Sequence, residues 1–233
     1  MPFLGFDPND STTGAANTIA DTTTIGDGTA EDVQIRFDGA NIHYHIGLDD
    51  SADKLIFGKG DTLGDSNTSF LTFDADGIIS KPLLPFAHGY NTATESSVAH
   101  NTVHKLELDA DLFDQNGDLN NTNDVFTAPV TAKYWIVGSI GNDQIDEDVN
   151  YWQVRVVTSN GYFWWADDPK SYNTPVDMKD CFVHIGVCAD MDSGDTAHVE
   201  YFQSAGSNVN SIFGSNSTAL AGQFSYLTVY LVS

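Results

Sequence analysis

Four consecutive aromatics, Tyr162, Phe163, Trp164 and Trp165, run directly into Ala166, Asp167 and Asp168. Strand alternation sends two of the four rings to each face, so one pair can enter a core and the other pair needs a different partner. A sugar ring offers an apolar face to an indole and hydroxyls to a nearby carboxylate. Tyr162, Trp164, Trp165 and Asp167 are therefore candidate glycan-binding residues. The competing reading is a subunit interface, which recruits aromatic side chains for the same physical reason.

A second constellation is Asp114-Gln115-Asn116-Gly117-Asp118-Leu119-Asn120, followed by Asp124. Oxygen ligands at alternate positions, here Asp114, Asn116 and Asp118, are how a calcium loop begins. An EF-hand needs Gly at its sixth position and a bidentate acid at its twelfth, and those positions hold Leu119 and Val125. Two readings stay open. One is an Asx-rich connection between strands; the other is a calcium-type site completed by other residues. No other cofactor is expected.

The remaining reactive side chains are less organised. His43 and His45 share one face of a predicted strand, and His100 and His104 form a second local pair, without a matching acid or cysteine ligand. They read as ordinary polar strand residues. Cys181 and Cys188 lie on one predicted strand, seven positions apart; they point to opposite faces roughly 23 Å apart, so they cannot pair and read as two buried free thiols. There is no nucleophile elbow, phosphate-cradling glycine loop, H-E-x-x-H or dinucleotide fingerprint. Acid pairs such as Asp49-Asp50 and Asp167-Asp168 are too numerous to single out one as catalytic. No residue is assigned a catalytic role, and the chain reads as non-enzymatic.

The elements that must position these residues are set by composition. Of 33 acidic side chains, 28 are Asp, against only 9 Lys and Arg, giving a formal charge of −24 over 233 residues. Asp competes for its own backbone and collects in turns, so Asp without Glu or Lys predicts short strands joined by many turns. Such a charge repels phosphate backbones and anionic lipid, which argues against nucleic-acid and membrane-surface partners. No run of 18 apolar residues is present and the opening residues lack a signal-peptide pattern, so synthesis in the cytoplasm without membrane insertion is expected.

Three regions follow one another. Residues 1–30 are rich in Thr, Ala, Gly and Asn, carry no Lys or Arg, and show no periodicity after Phe3, Leu4 and Phe6; they read as an extended arm held by a partner. Residues 31–85 hold four short predicted strands, Val33 to Gly39, His43 to Asp50, Lys54 to Gly58 and Phe70 to Ile79, a β-rich collar too thin for a monomer core. Lys81-Pro82-Leu83-Leu84-Pro85 is the joint. Residues 86–233 carry strands such as Val103 to Leu108, Lys133 to Gly138, Tyr151 to Val157, Phe182 to Val187, His198 to Phe202 and Tyr226 to Val232, the spacing of a sandwich or jelly roll.

Three segments of this last region resemble the globular head of the complement C1q and tumour-necrosis-factor family. Asp124-Val125-Phe126-Thr127-Ala128-Pro129-Val130-Thr131-Ala132-Lys133-Tyr134-Trp135 is similar to its F-x-A-P-x-x-G-x-Y-x-F strand. Ala189 to Ala197 resembles its L-x-x-G-D-x-V turn, and Gly222-Gln223-Phe224-Ser225-Tyr226-Leu227 its closing F-x-G-x-L strand. Ala132 and Ser225 stand where the family has Gly, a change that matters only if those positions need positive φ. The resemblance implies a C1q/TNF-like jelly-roll sandwich and a homotrimer.

The front half has its own resemblance. Ile46 to Gly58 and Leu71 to Gly77 resemble shaft segments of bacteriophage tail-fibre and related virion proteins, and Met1-Pro2-Phe3-Leu4-Gly5 resembles the opening of many phage fibre proteins. What this implies is an all-β homotrimeric virion protein, a short tail fibre or a capsid decoration protein exposed on the particle surface. Phe3, Leu4 and Phe6 would anchor it to other virion proteins, and the head would serve host attachment, with surface glycan as a candidate ligand. The alternative is a lectin-like carbohydrate-binding module acting as the receptor-binding protein.

Overall fold

The computed structural model describes residues 24–146, 148–172, 177–204, 210–215 and 223–232. Phe3, Leu4 and Phe6, the candidate anchor, lie outside the described residues. The chain is all-β: the one helical turn among the described residues is the 3-10 turn Pro169–Tyr172. No helix there is long and apolar enough to cross a membrane. Two compact units divide at Ser80 and Lys81.

The first unit is a single antiparallel sheet in chain order, β1 (Val33–Asp38), β2 (His43–Asp49), β3 (Lys54–Lys59), β4 (Ser69–Phe73) and β5 (Ile79–Ser80). The predicted strand from Phe70 to Ile79 is in fact two. Asp74-Ala75-Asp76-Gly77 turns the chain: the Asp74 carboxylate accepts from the backbone N–H groups of Asp76 and Ile78, and Gly77 takes φ +80°. The segment 60–68 packs over one face, where Leu63 closes on Gly47 and Gly64 brings its backbone against the Asp49 carboxylate. On that face His45, Asp49, Ser69, Thr72 and Ile56 are buried.

Lys81 to Pro85 hydrogen-bonds into the second unit rather than bridging as a bare joint. The Gln115 amide donates to the carbonyls of Lys81, Pro82 and Leu84, and the Leu231 N–H donates to the Pro85 carbonyl. The second unit is built from β6 (Phe86–Tyr90), β7 (Glu95–Val98), β8 (His104–Lys105), β9 (Ala110–Asp114), β10 (Leu119–Asn120), β11 (Val125–Thr127), β12 (Ala132–Asp143), β13 (Tyr151–Thr158), β14 (Gly161–Asp167), β15 (Cys181–Met191), β16 (Thr196–Ser204), β17 (Asn210–Ile212) and β18 (Tyr226–Leu231). The expected strand from Val103 to Leu108 contracts to β8: the Leu106 N–H still donates to the Val199 carbonyl of β16, but the Leu108 N–H donates to the Asp124 carboxylate instead of a strand partner.

Two antiparallel sheets face each other. One runs β9-β6-β18-β12-β15, with β17 and β7 continuing beyond β18 along the same edge of β12. The other runs β10-β11-β16-β13-β14, with β8 on β16. Neighbours in each sheet are mostly distant in sequence, as β18 beside both β6 and β12, or β16 between β11 and β13. That is jelly-roll order rather than a meander.

Alternate residues of both sheets fill the space between them. Tyr134, Ile136 and Ile140 of β12 meet Trp152, Val154 and Val156 of β13 and Val199 and Tyr201 of β16, all essentially solvent-free. At Gly138 the layers touch: a Cβ there would lie 2.9 Å from Val199 and 3.0 Å from Val156, so only glycine fits.

The first two motifs behind the head resemblance are stitched together at one end of this sandwich. The Ala128 N–H donates to the Asp195 carbonyl, the Gly194 N–H to the Ala128 carbonyl, and the Ser193 hydroxyl to the Pro129 carbonyl. The Tyr134 hydroxyl donates to the Val130 carbonyl at 2.8 Å, fixing the same turn. Neither departure from the family pattern strains the backbone, since Ala132 and Ser225 both keep negative φ. Ser225 gains a role: its buried hydroxyl accepts from the Gly141 N–H.

Candidate functional site

Pairing along β13, β14 and β16 settles which of the four aromatics share a face. Val157 opposes Tyr162 and His198, Arg155 opposes Trp164 and Glu200, and Gln153 opposes Ala166 and Phe202. Since Trp152, Val154 and Val156 point into the core, the alternate set points outward. Tyr162 and Trp164 are thus neighbours on the outer surface, 63% and 55% exposed.

Between them stands Arg155. Its guanidinium lies 5.6 Å from the Tyr162 ring centre and 5.4 Å from that of Phe202, and Tyr151 packs at a tilt against Phe202 at 5.8 Å. Arg155 donates to the Gln153 amide oxygen and pairs with Glu200 at 3.6 Å. His198 joins the same Glu200 at 3.1 Å. The result is a platform of aromatic rings around fixed polar groups.

Trp165 and Asp167, grouped with Tyr162 and Trp164 on sequence, belong to the opposite face. Trp165 packs edge-on against the buried Trp152 with ring centres 5.0 Å apart, and Asp167 sits opposite Trp152 in register. Period-two alternation separates them from Trp164. Arg155, Gln153, Glu200 and Phe202 replace them on the platform; Glu200 and Phe202 come from β16, 36 to 40 residues beyond Tyr162 and Trp164, and Gln153 and Arg155 from β13, just before the hairpin. Only a correct guess of the β16-β13-β14 order would have found them.

A second outward surface is the far face of the other sheet. Register places Phe86, Tyr230, Trp135 and Cys188 in one row, then His88, Thr228, Val137 and Gly186, then Tyr90, Tyr226, Ser139 and His184. Phe86, Trp135, Phe182 and Tyr230 are each more than a third exposed although flanked by other rings. The Trp135 indole lies across Gly186, where a Cβ would come within 3.0 Å of it. His88 meets Tyr226 at 5.0 Å and Phe113 at 5.8 Å, and hydrogen-bonds Thr228 at 2.7 Å and Gln223 at 3.1 Å. Burial holds its imidazole below the ordinary value, against the opposing pull of the Gln223 hydrogen bond.

The cysteines occupy β15 as expected, but they are not both buried. Cys181 packs at the core margin, where burial pushes its thiol up, whereas Cys188 is exposed on the aromatic row beside Trp135.

The loop after β9 uses its acids internally. The Asp114 carboxylate accepts from the N–H groups of Gly117, Asp118 and Leu119 at 3.1, 3.0 and 2.9 Å. That occupies its oxygens in a turn, with Gly117 at φ +74°. Burial, and then the Asp114 charge, pushes Asp118 up to about 6. Among the described residues no three His, Cys, Asp or Glu side chains gather as metal ligands.

One cleft of about 380 Å³ is lined by Ala93 to Ala99, His104 and Glu107. Inside it His104 pairs with the buried Glu95 carboxylate, which also accepts from Asn91 and from the Glu107 N–H. The hydrogen bond to Glu95 raises His104, and the Glu95 charge raises Glu107. Nothing in the local sequence signals this pairing, since the partners come from opposite sides of a turn.

No family model matches the chain, and no curated protein does. Solved structures resemble it in general architecture. The globular domain of zebrafish complement 1qA is 14% identical with a TM-score of 0.43, over 64% of this chain and 98% of that one. Eiger TNF from S. frugiperda is 16% identical with a TM-score of 0.43, over 64% and 93%. Murine APRIL is 11% identical with a TM-score of 0.44, over 64% and 99%. The fold assignment itself rests on the strand order and the two-layer core of this chain.

Proposed function

We propose that this chain is a structural protein of a bacteriophage virion, a short fibre or decoration protein that is homotrimeric through its head and carries no enzymatic activity. One observation carries the association: the aromatic outer face of the β6-β18-β12-β15 sheet. Phe86, Trp135, Phe182 and Tyr230 leave this much ring surface in water in the single chain, the first two and Tyr230 aligned in the row next to His88, which is the composition of an interface core. The virion setting draws its support from the sequence resemblance of the arm and collar. Residues 1–30, with Phe3, Leu4 and Phe6, are the proposed attachment to other virion proteins.

The test is native mass by light scattering. Wild type is expected at three times 25.2 kDa, and Trp135→Arg at one, with the far-UV spectrum unchanged. A wild-type monomer at every concentration overturns the association. Removal of residues 1–30 is expected to abolish incorporation into particles while leaving trimers intact; particles that still carry the shortened chain overturn the anchoring role.

A second reading has its own observation, the Tyr162–Trp164–Arg155–Glu200 platform. Exposed rings flanking a polar pair fit a neutral sugar, and a head exposed on a particle is placed to use it for host attachment. Trp164→Ala is then expected to abolish binding to host cells or their purified surface polysaccharide without altering mass. Loss of the trimer instead assigns the platform to the interface.

A further inference from the structure

The first unit is inside out. Its covered face holds His45, Asp49, Ser69 and Thr72 with a single aliphatic side chain, Ile56. Its open face is apolar row by row: Val33, Leu48, Leu55 and Phe73 align across the sheet, then Ile35, Ile46, Phe57 and Leu71, then Phe37 and Tyr44 beside Lys59. Ile79 extends the first row. Phe37 is 54% exposed, Ile35 45%, Leu48 43% and Leu55 41%. A groove of about 240 Å³ runs between these rows, lined in part by Ile25, Val33, Ile35, Leu48 and Leu55.

From these rows we infer that the apolar face of the first unit packs against the same face of other copies of this chain, as a second association surface added to the one on the head. The inference rests on the head association proposed above. Three arguments select this occupant. First, a one-layer sheet must bury its apolar face on another layer, and segment 60–68 already takes the other side. Second, none of the strand residues aligned on the face is acidic. Its mate must be apolar, and anionic lipid is repelled by the net charge of −24. Third, four strands about 4.8 Å apart and about 20 Å long give a face of roughly 400 Å².

That is about half of what a stable complex buries per partner, so the face is too small to hold a free partner firmly. Copies already gathered by their heads reach it at high effective concentration, and for them the same area suffices. A second copy also supplies the matching apolar face at a fixed ratio.

The test uses the full chain with Ile35→Lys and Leu48→Lys together. These replace exposed side chains, and they lower the net charge from −24 to −22, so general electrostatics favours association of the variant. Trimer dissociation on dilution is expected at a concentration at least tenfold higher than for wild type, with melting of the dilute monomer unchanged. Phe37→Ser, a milder change, is expected to move the midpoint in the same direction. An unchanged midpoint for both variants overturns the inference and leaves the head association standing. An unchanged midpoint with a lower melting temperature shows that the face is covered within one chain, and overturns it as well. If wild type is monomeric while Trp135→Arg changes nothing, the head association fails and takes this inference with it.

Discussion

The two units bury opposite kinds of residue. In the second, two sheets close on each other and hide Trp152, Tyr134, Tyr201, Phe126 and the aliphatics around them. In the first, Ile56 is the one buried hydrophobic side chain among the described residues, while an entire apolar face stays open. The sheets of both units are antiparallel, and in both units polar and apolar residues alternate along strands. What differs is the number of layers: a sandwich completes its core inside one chain, and a single sheet can do so only with help from outside. The same substitution therefore has different consequences in the two places.

The largest effect is expected in the closed core. Trp152→Ala removes a solvent-free indole that supports both Trp165 and Tyr201. It should cost about 3–5 kcal/mol, read as a lower denaturant midpoint for the second unit. A loss below about 1 kcal/mol would mean that the two sheets are not packed as described.

In the first unit the comparable weak point is polar. Gly64 sits at φ +81°, and a Cβ there would lie 2.3 Å from an Asp49 carboxylate oxygen. That carboxylate accepts from the Ser51 hydroxyl and the Ala52 N–H, which hold the β2-β3 turn. Gly64→Ala combines backbone strain with displacement of this anchor, and about 1–3 kcal/mol is expected from the first unit. Neutrality of the variant would argue that segment 60–68 does not cover the polar face.

Asp114→Ala deletes the acceptor for three backbone N–H groups at the β9-β10 connection. A loss of about 1–3 kcal/mol is expected from the second unit, equal with and without added calcium. Stabilisation of wild type by calcium that vanishes in the variant would instead support the cation reading of Asp114, Asn116 and Asp118.

The sandwich was legible because its signals are local. Alternation marks β12, β13, β15, β16 and β18, and Asp or Gly bounds β12, β15 and β16. The four-strand count for the collar missed only the turn at Asp74 to Gly77, where a carboxylate capping its own loop outweighs the β-propensity of the flanking residues. The platform was half legible. Alternation ensured that Tyr162 and Trp164 share a face, and it equally excluded Trp165 and Asp167 from it. Arg155, Glu200 and Phe202 depend on which strands become neighbours, and that is decided by packing across the whole sandwich. The exposure of Cys188 is hidden for the same reason: a strand with two useful faces looks like a buried one until its sheet is known. The inverted burial of the first unit leaves no sequence signature either, since alternation reports that two faces differ but not which one is covered.

The smallest effect concerns Asp118, whose raised value makes the second unit sensitive to acid in an unusual direction. Burial favours the protonated carboxyl in the folded chain, so its folded value, about 6, lies above the 3.8 of the unfolded chain. Between those two values the folded state binds more protons than the unfolded one. Stability from this group is therefore fully present below about pH 4 and is lost as pH rises through about 6. Because the side chain remains partly accessible, the full excursion should stay near or below about 1 kcal/mol. Asp118→Asn removes the titration while keeping the size of the group. It should raise stability slightly at pH 7, leave it unchanged near pH 4, and flatten the slope between them in denaturant titrations. A variant whose stability follows the wild-type slope across that window would show that Asp118 is hydrated in the folded chain, and that the turn held by Asp114 leaves it open to water.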